Sequence, residues 1–138
     1  MNNKKTGSRF EYEVADRLRE MGWWVHLLTQ NSAGQPADLI AVQNNRAVLI
    51  DCKVCQNNRF RLDRIEPNQE SAFKAWRWAQ NRHYLLVLGL KDGTIKALNI
   101  DPVIMLKDTL SELSEDLILQ VGVSLERVME RVLWKGVG

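Results

Sequence analysis

The chain has 138 residues, 45% of them hydrophobic and 26% charged, which is enough for one globular domain without help from disulfides or zinc. No apolar run approaches the ~18–20 residues of a membrane span, and the first residues lack the apolar segment of a signal peptide. The two cysteines stand three positions apart and cannot staple a fold. We therefore expect a cytoplasmic protein of one domain, with its core in about residues 5–100.

The net charge of +2 conceals an asymmetry between two parts of the chain. Residues 1–100 carry 15 Lys and Arg against 10 Asp and Glu, whereas residues 101–138 carry 4 against 7. A basic region of this kind favours a polyanionic partner such as nucleic acid, although such a surplus is also common in soluble proteins.

The first predicted element is an amphipathic helix over residues 6–21, closed by Gly22. Its apolar residues recur every three or four positions: Phe10, Val14, Leu18 and Met21. Ser8 and Glu11 have the spacing of a capping box, which would make Glu11 a local helix cap.

Strand-like and helix-like segments then alternate. A second helix is predicted to begin at Pro67 and to pack through Ala72, Trp76 and Ala79. The predicted strands are residues 23–28, 37–43, 46–54, 83–90 and 95–100. This order predicts an α/β fold with a mixed sheet flanked by helices. Residues 101–138 form a helical, acidic extension, for which a dimer contact and a lid both stay open.

The turn Asn44-Asn45 indicates a hairpin, because asparagine tolerates positive φ. A two- or four-residue loop places Asp38 directly opposite Asp51, with Cβ atoms roughly 5 Å apart on one face. Lys53 lies two residues further along and shares that face. A three-residue loop would break this register.

Two facing carboxylates are destabilising unless a charge neutralises them. Oxygen ligands of this kind favour Mg²⁺ or Mn²⁺. A cation between Asp38 and Asp51, with Lys53 beside it, suits phosphoryl transfer. The alternative is a solvated, salt-bridged hairpin face, but Asp51-x-Lys53 is the only acid-x-Lys triplet in the chain.

These residues resemble the PD-(D/E)xK nuclease superfamily, and within it the Holliday junction resolvases of the archaeal Hjc and bacterial RecU types. The motif Gly7-x-x-x-Glu11 is similar to the start of the first helix in Hjc-like enzymes. The stretch "FRLDRIEPNQ" is similar to one in RecU-type proteins and places Gln69 near the site, although Asn68 stands where those proteins usually have histidine. The resemblance covers about residues 5–100 and implies a restriction-endonuclease-like core.

The resemblance also implies roles for these residues. Asp38 and Asp51 would be metal ligands, joined by Glu11 and the backbone carbonyl of Cys52. Lys53 would orient the attacking water or stabilise charge. The products would be a 5′-phosphate and a 3′-hydroxyl, made by a prokaryotic or phage-like protein acting on the nucleoid. Ala37 separates Pro36 from Asp38, a small departure from the motif.

Several basic residues near this site are candidates for contacts to the DNA phosphates. They are Arg9, Arg59, Arg61, Arg64, Lys74 and Arg77, with Ser32 as a further candidate by its resemblance to a serine of archaeal resolvases. A solvated loop with ordinary surface charge is the competing interpretation for each one. Trp23, Trp24, Trp76 and Trp78 are interpreted as core or dimer-interface residues.

The pair Cys52-x-x-Cys55 would indicate thiol or zinc chemistry in another setting. Strand alternation points the two side chains to opposite faces, and no second cysteine or histidine pair completes a zinc site. We expect one core residue and one residue at the strand end.

The sequence thus predicts a Mg²⁺- or Mn²⁺-dependent DNA endonuclease that resolves four-way junctions as a homodimer. The alternatives are a restriction-like or repair nuclease of the same fold acting on duplex, flap or single-stranded DNA, a non-catalytic DNA-binding scaffold, and a thiol or zinc protein.

Overall fold

The computed structural model describes residues 3–28 and 34–135, and the side chains of residues 9–28 and 34–134. The five helices are α1 (Asn3–Glu20), α2 (Pro67–Trp78), α3 (Ile100–Leu106), α4 (Glu115–Val121) and α5 (Leu125–Lys135). The strands are β1 (Trp24–Leu27), β2 (Leu39–Gln43), β3 (Arg46–Val54), β4 (Phe60–Arg61), β5 (His83–Gly89), β6 (Ile95–Asn99) and β7 (Glu112–Leu113). A single 3₁₀ turn spans Leu62–Arg64. None of the helices in these ranges is long and apolar enough to cross a bilayer.

A mixed five-stranded sheet in the order β1-β2-β3-β5-β6 forms the centre of the fold. Only β3 and β5 run parallel, and the chain between them contains α2, as the connection of parallel strands requires. The predicted mixed sheet flanked by helices is confirmed. The two-residue strands β4 and β7 form a separate small sheet that was not predicted.

Apolar clusters fill both faces of the sheet. On one face, residues of α1 and α5 pack against alternate residues of the strands. On the other face, α2, α3, α4 and the small sheet cover the remaining apolar side chains. Residues from the C-terminal segment, such as Met129 and Ile118, therefore belong to the two main clusters.

Helix α1 begins at Asn3, three residues earlier than predicted, and ends at Glu20, one residue before the predicted end. Gly22 has φ of +91°, and the amides of Gly22 and Trp23 donate to the carbonyls of Arg19 and Leu18. This is a Schellman motif, in which a left-handed residue satisfies the last helical carbonyls. Because α1 already includes Ser8 and Glu11, the capping-box interpretation of these residues is wrong.

The β2–β3 hairpin has the predicted register, with Leu39 opposite Ile50 and Gln43 opposite Arg46. Asn44 and Asn45 both have positive φ, as a two-residue turn of this type requires. Strand β2 begins at Leu39, two residues later than predicted.

The apolar face of α2 differs from the predicted one. Gln69 and Phe73 are buried and Trp76 is half-buried, whereas Ala79 is exposed at the end of the helix. Trp23 lies in the core as predicted, but Trp24 and Trp78 are 61% and 88% exposed, so a core position for these two is wrong.

Candidate active site

Two carboxylates lie side by side on the sheet face that α2 covers. Asp38 immediately precedes β2 and its backbone N–H donates to the Ile50 carbonyl at 2.9 Å, while Asp51 follows Ile50 in β3. Both side chains are buried in a protein whose other buried residues are almost all apolar. Buried acids need hydrogen bonds or a cation to offset the loss of hydration, so their partners define what this site can do.

Asp38 has one hydrogen bond on each carboxylate oxygen. The Cys52 backbone N–H donates to Oδ2 at 2.7 Å, and Gln35 Nε2 donates to Oδ1 at 2.6 Å. The first bond ties the Asp38 side chain to the backbone of β3 just beyond the start of β2. The two bonds fix the plane of the carboxylate.

Asp51 is satisfied on one oxygen only. Gln69 Nε2 donates to Oδ1 at 2.7 Å. Lys53 Nζ lies 3.5 Å from Oδ2, an ion-pair distance, but Oδ2 has no hydrogen-bond partner among the described residues. Burial, and next the charge of Asp38, raise the pKa of the Asp51 carboxyl to about 8. Without a further cation, this carboxyl therefore tends to hold a proton at neutral pH.

Glu11 reaches the same region from α1. Its side chain is partly buried, and burial followed by the charge of Asp38 raises the pKa of its carboxyl to about 7, while Lys53 opposes the shift. Glu13, two residues along the helix, is exposed. Since Glu11 does not cap the helix, its place beside Asp38 is not explained by a local role in α1.

Gln69 has a defined orientation. Its Oε1 accepts from the Glu66 backbone N–H at 3.0 Å, at the start of α2, while its Nε2 donates to Asp51. One amide side chain thus closes the first turn of α2 and holds Asp51.

The loop before Asp38 is held by two residues that were not predicted to contact it. Asn68 Nδ2 donates to the Gln35 carbonyl at 3.1 Å, and the Tyr84 hydroxyl donates to the Pro36 carbonyl. These contacts join residues 33 and 48 positions apart, so no local pattern could have indicated them.

The oxygen atoms of this site fit a hard divalent cation. In the described part of the chain, no three or more His, Cys, Asp or Glu side chains are grouped as a metal site. The fit rests on the unpartnered Asp51 Oδ2 and on Cys52, whose N–H points towards Asp38. Because the N–H and C=O of one strand residue point to the same side, the Cys52 carbonyl also faces the region beyond the start of β2.

The candidate DNA contacts on the segment after β3 have intramolecular partners. Arg59 lies 3.7 Å from Glu112, and Arg61 Nη2 lies 2.6 Å from Asp63 Oδ2. Arg64 donates to the Val54 carbonyl at the end of β3 and stacks over Phe60, which gives it a structural role. Ser32 lies outside the described residues.

The other candidate contacts lie on the two helices nearest the site. Lys74 on α2 and Arg9 on α1 are exposed. Arg77 pairs with Asp101 at 3.1 Å and lies over the ring of Phe73. Exposed arginines paired at the surface can exchange an acidic partner for a phosphate at little cost, because such pairs contribute little to stability.

The two cysteines lie in different apolar clusters on opposite faces of the sheet, and both are free. Burial raises the pKa of each thiol, which disfavours the reactive thiolate. This placement removes the structural basis for a C-x-x-C redox pair.

The chain is similar to one known protein family over nearly its whole length. The family model for the archaeal Holliday junction resolvase (Hjc) matches residues 2–135. The chain belongs to the Hjc family. Hjc proteins are nucleases, so the predicted nuclease relationship is confirmed. No curated protein sequence matches the chain.

Solved structures agree with the Hjc fold. Hjc from Archaeoglobus fulgidus, a Holliday junction resolvase from an archaeal hyperthermophile, has a TM-score of 0.69 and 15% identity, covering 90% of this chain and 98% of that one. The bacterial homing endonuclease I-Ssp6803I has a TM-score of 0.56 and 16% identity, covering 81% of this chain and 76% of that one. The chain has a restriction-endonuclease-like fold.

Proposed function

We propose that the protein is a divalent-metal-dependent endonuclease that resolves four-way DNA junctions by hydrolysing phosphodiester bonds. The observation that carries the proposal is the buried pair Asp38 and Asp51, in which Asp51 Oδ2 has no hydrogen-bond partner within the described residues. Lys53 Nζ lies at an ion-pair distance of 3.5 Å from this oxygen but makes no hydrogen bond to it, so the oxygen keeps its lone pairs available to a cation.

In this proposal Asp38, Asp51 and the Cys52 carbonyl hold Mg²⁺ or Mn²⁺, and Glu11 completes the acidic set. When bound, such a cation supplies charge that polarises the scissile phosphate and lowers the pKa of an attacking water. The raised pKa values of Glu11 and Asp51 are consistent with this role, because carboxyls that are costly to ionise alone gain most from a cation.

The protein's own groups would orient the reactants. Lys53, partly buried beside Asp51, would direct its ammonium towards the phosphate and stabilise the negative charge that develops there. Gln69 would keep Asp51 turned so that Oδ2 faces the site. Water would attack the phosphorus as the bond from phosphorus to the 3′ oxygen breaks, and the proton released by the water would end on that oxygen, which gives a 5′-phosphate and a 3′-hydroxyl.

We also infer that the protein acts in the cytoplasm. We further infer that it is a homodimer, since two symmetry-related sites can place paired nicks in a four-way junction. The basic residues Arg9, Arg59, Arg61, Lys74 and Arg77 would contact the phosphates of the junction arms. These contacts would position the duplex without reading its sequence.

The test compares a synthetic four-way junction with a linear duplex of the same sequence, each incubated with Mg²⁺ or with EDTA. We expect paired nicks in the junction with Mg²⁺ only, and nicks that DNA ligase reseals, because ligase requires a 5′-phosphate and a 3′-hydroxyl. Equal cutting of the linear duplex would contradict junction resolution and leave a nuclease of broader substrate range. Binding without cutting under any metal would instead support a non-catalytic scaffold.

A further inference from the structure

Two consecutive residues in the first turn of α2 are linked to the two acids of the candidate site, one directly and one through a loop residue. Gln69 donates to Asp51 directly. Asn68 donates to the carbonyl of Gln35, whose side chain donates to Asp38. Neighbouring side chains on one helical turn therefore fix the two carboxylates, one directly and one through a loop.

Gly34 shows that the loop is built to approach Asn68 closely. Gly34 has φ of +81°, a left-handed conformation that most residues avoid. A Cβ atom at this position would lie 2.8 Å from Asn68 Nδ2. The left-handed φ favours glycine here, and a side chain at this position would displace the Asn68 amide that donates to Gln35.

The hydrogen bonds are distributed unequally over the four carboxylate oxygens of Asp38 and Asp51. Three oxygens of Asp38 and Asp51 accept a hydrogen bond from Gln35, Cys52 or Gln69, and Asp51 Oδ2 accepts none from the described residues. Each bonded oxygen keeps a second lone pair, so the donors orient the carboxylates without blocking them. Groups that orient ligands in this way commonly change metal affinity by about 10–100-fold when removed.

We propose that Gln35 and Asn68 are positioning residues that set the metal affinity of the site by orienting Asp38. Asn68 holds the loop, and Gln35 transmits that constraint to Asp38 Oδ1. Neither residue is required for contact with DNA. The inference rests on the proposed function, because it assumes that Asp38 binds the cation.

The test measures Mn²⁺ binding by isothermal titration calorimetry in the absence of DNA. Gln35→Met keeps the length of the side chain but removes its donor, and Asn68→Leu keeps a similar volume without adding charge but removes the N–H. Gln120→Met, at an exposed position on α4, is the matched control. We expect roughly tenfold weaker Mn²⁺ binding for each site variant, unchanged binding for the control, and junction affinity in EDTA equal to that of the wild type.

A second measurement separates positioning from general loosening of the fold. Because Asn68 acts through Gln35, the double variant should bind Mn²⁺ little more weakly than either single variant. Raising the Mg²⁺ concentration should restore the cleavage rate of both single variants. Wild-type Mn²⁺ affinity in both variants, or independent and additive losses, would overturn the inference while leaving the proposed function in place. A wild-type protein that binds no Mn²⁺ would overturn both.

Discussion

At the scale of single residues, the site contains an acid whose burial lowers the stability of the fold and whose hydrogen bonds are incomplete. Asp51 is 1% exposed, and its Oδ2 has Lys53 at ion-pair distance but no hydrogen bond among the described residues. A protein selected only for stability would replace such an acid or pair it fully. Retaining it costs folding free energy, and this cost can be measured.

Asp51→Asn is expected to stabilise the metal-free protein at alkaline pH. Because the folded pKa of Asp51 lies near 8, above its usual 3.8, the folded state binds more protons and loses stability as pH rises between these values. The variant escapes this loss, so in EDTA its melting temperature should exceed that of the wild type by roughly 10–20 °C at pH 8. The difference should shrink towards pH 5.

Calorimetric melting curves at several pH values check this expectation. Mg²⁺ should raise the melting temperature of the wild type and leave the variant nearly unchanged. A difference between the two proteins that does not vary with pH would show that the Asp51 carboxyl is not perturbed in this way.

The hairpin register was predictable from sequence, because the Asn44-Asn45 turn determines which positions of β2 and β3 pair. Asp38 lies just before this ladder, with its backbone N–H on the Ile50 carbonyl. Gln35 and Asn68 were not predictable as positioning residues, since their contacts join segments distant along the chain. Glu11 was predicted at the site, but the capping pattern also offered it a local role, which the longer α1 excludes.

At the scale of elements, the position of α1 against the sheet determines where Glu11 lies. Phe10, adjacent to Glu11, packs against Gly89 at the end of β5, and a Cβ atom on Gly89 would lie 2.7 Å from the Phe10 ring. The absence of a side chain at position 89 therefore brings α1 close to the ends of β3 and β5. The sequence predicted both elements, but not this contact.

Gly89→Ala is expected to destabilise the protein by about 1–3 kcal/mol, because the added methyl overlaps an aromatic ring in a packed interior. It should also lower the cleavage rate by displacing Glu11. Urea unfolding and junction cleavage measure the two effects.

Phe10→Leu in the Gly89→Ala background tests whether overlap with the Phe10 ring causes the loss of stability. The smaller side chain should recover part of the lost stability. A double variant less stable than the sum of its single changes would contradict steric overlap as the reason.

The short strands β4 and β7 could not be predicted from a sequence pattern. Each strand has two residues and pairs with a segment about fifty positions away, which is too short for an alternating pattern to appear. Strands β3 and β5 were recognisable because seven or more mostly apolar residues occupy a sheet covered on both faces.

At the scale of the whole molecule, the C-terminal segment is part of the folded core. Met129 on α5 is 1% exposed in the same cluster as α1, and Arg17 of α1 lies 2.6 Å from Glu126 of α5. The sequence indicated helices here but left their packing open, because an amphipathic helix does not specify its partner. The structure gives α5 a partner in the main sheet.

Met129→Ala is therefore expected to lower the free energy of unfolding by about 2–4 kcal/mol, through lost apolar burial and the cavity left behind. Trp134→Ala on the same helix is the matched control, because Trp134 is 78% exposed and its loss should change stability by less than about 0.5 kcal/mol. Similar small effects of both substitutions in urea unfolding would show that α5 is not packed as described.

If Asp51 belongs to a metal-dependent site that cuts junction DNA, its carboxylate is needed for cleavage but not for binding. The experiment measures the Mg²⁺-dependent rate of junction cleavage for the wild type and Asp51→Asn, and the junction affinity of both in EDTA. We predict that the variant loses cleavage by at least about 100-fold while it binds the junction as tightly as the wild type. Cleavage by Asp51→Asn at the wild-type rate would contradict the account.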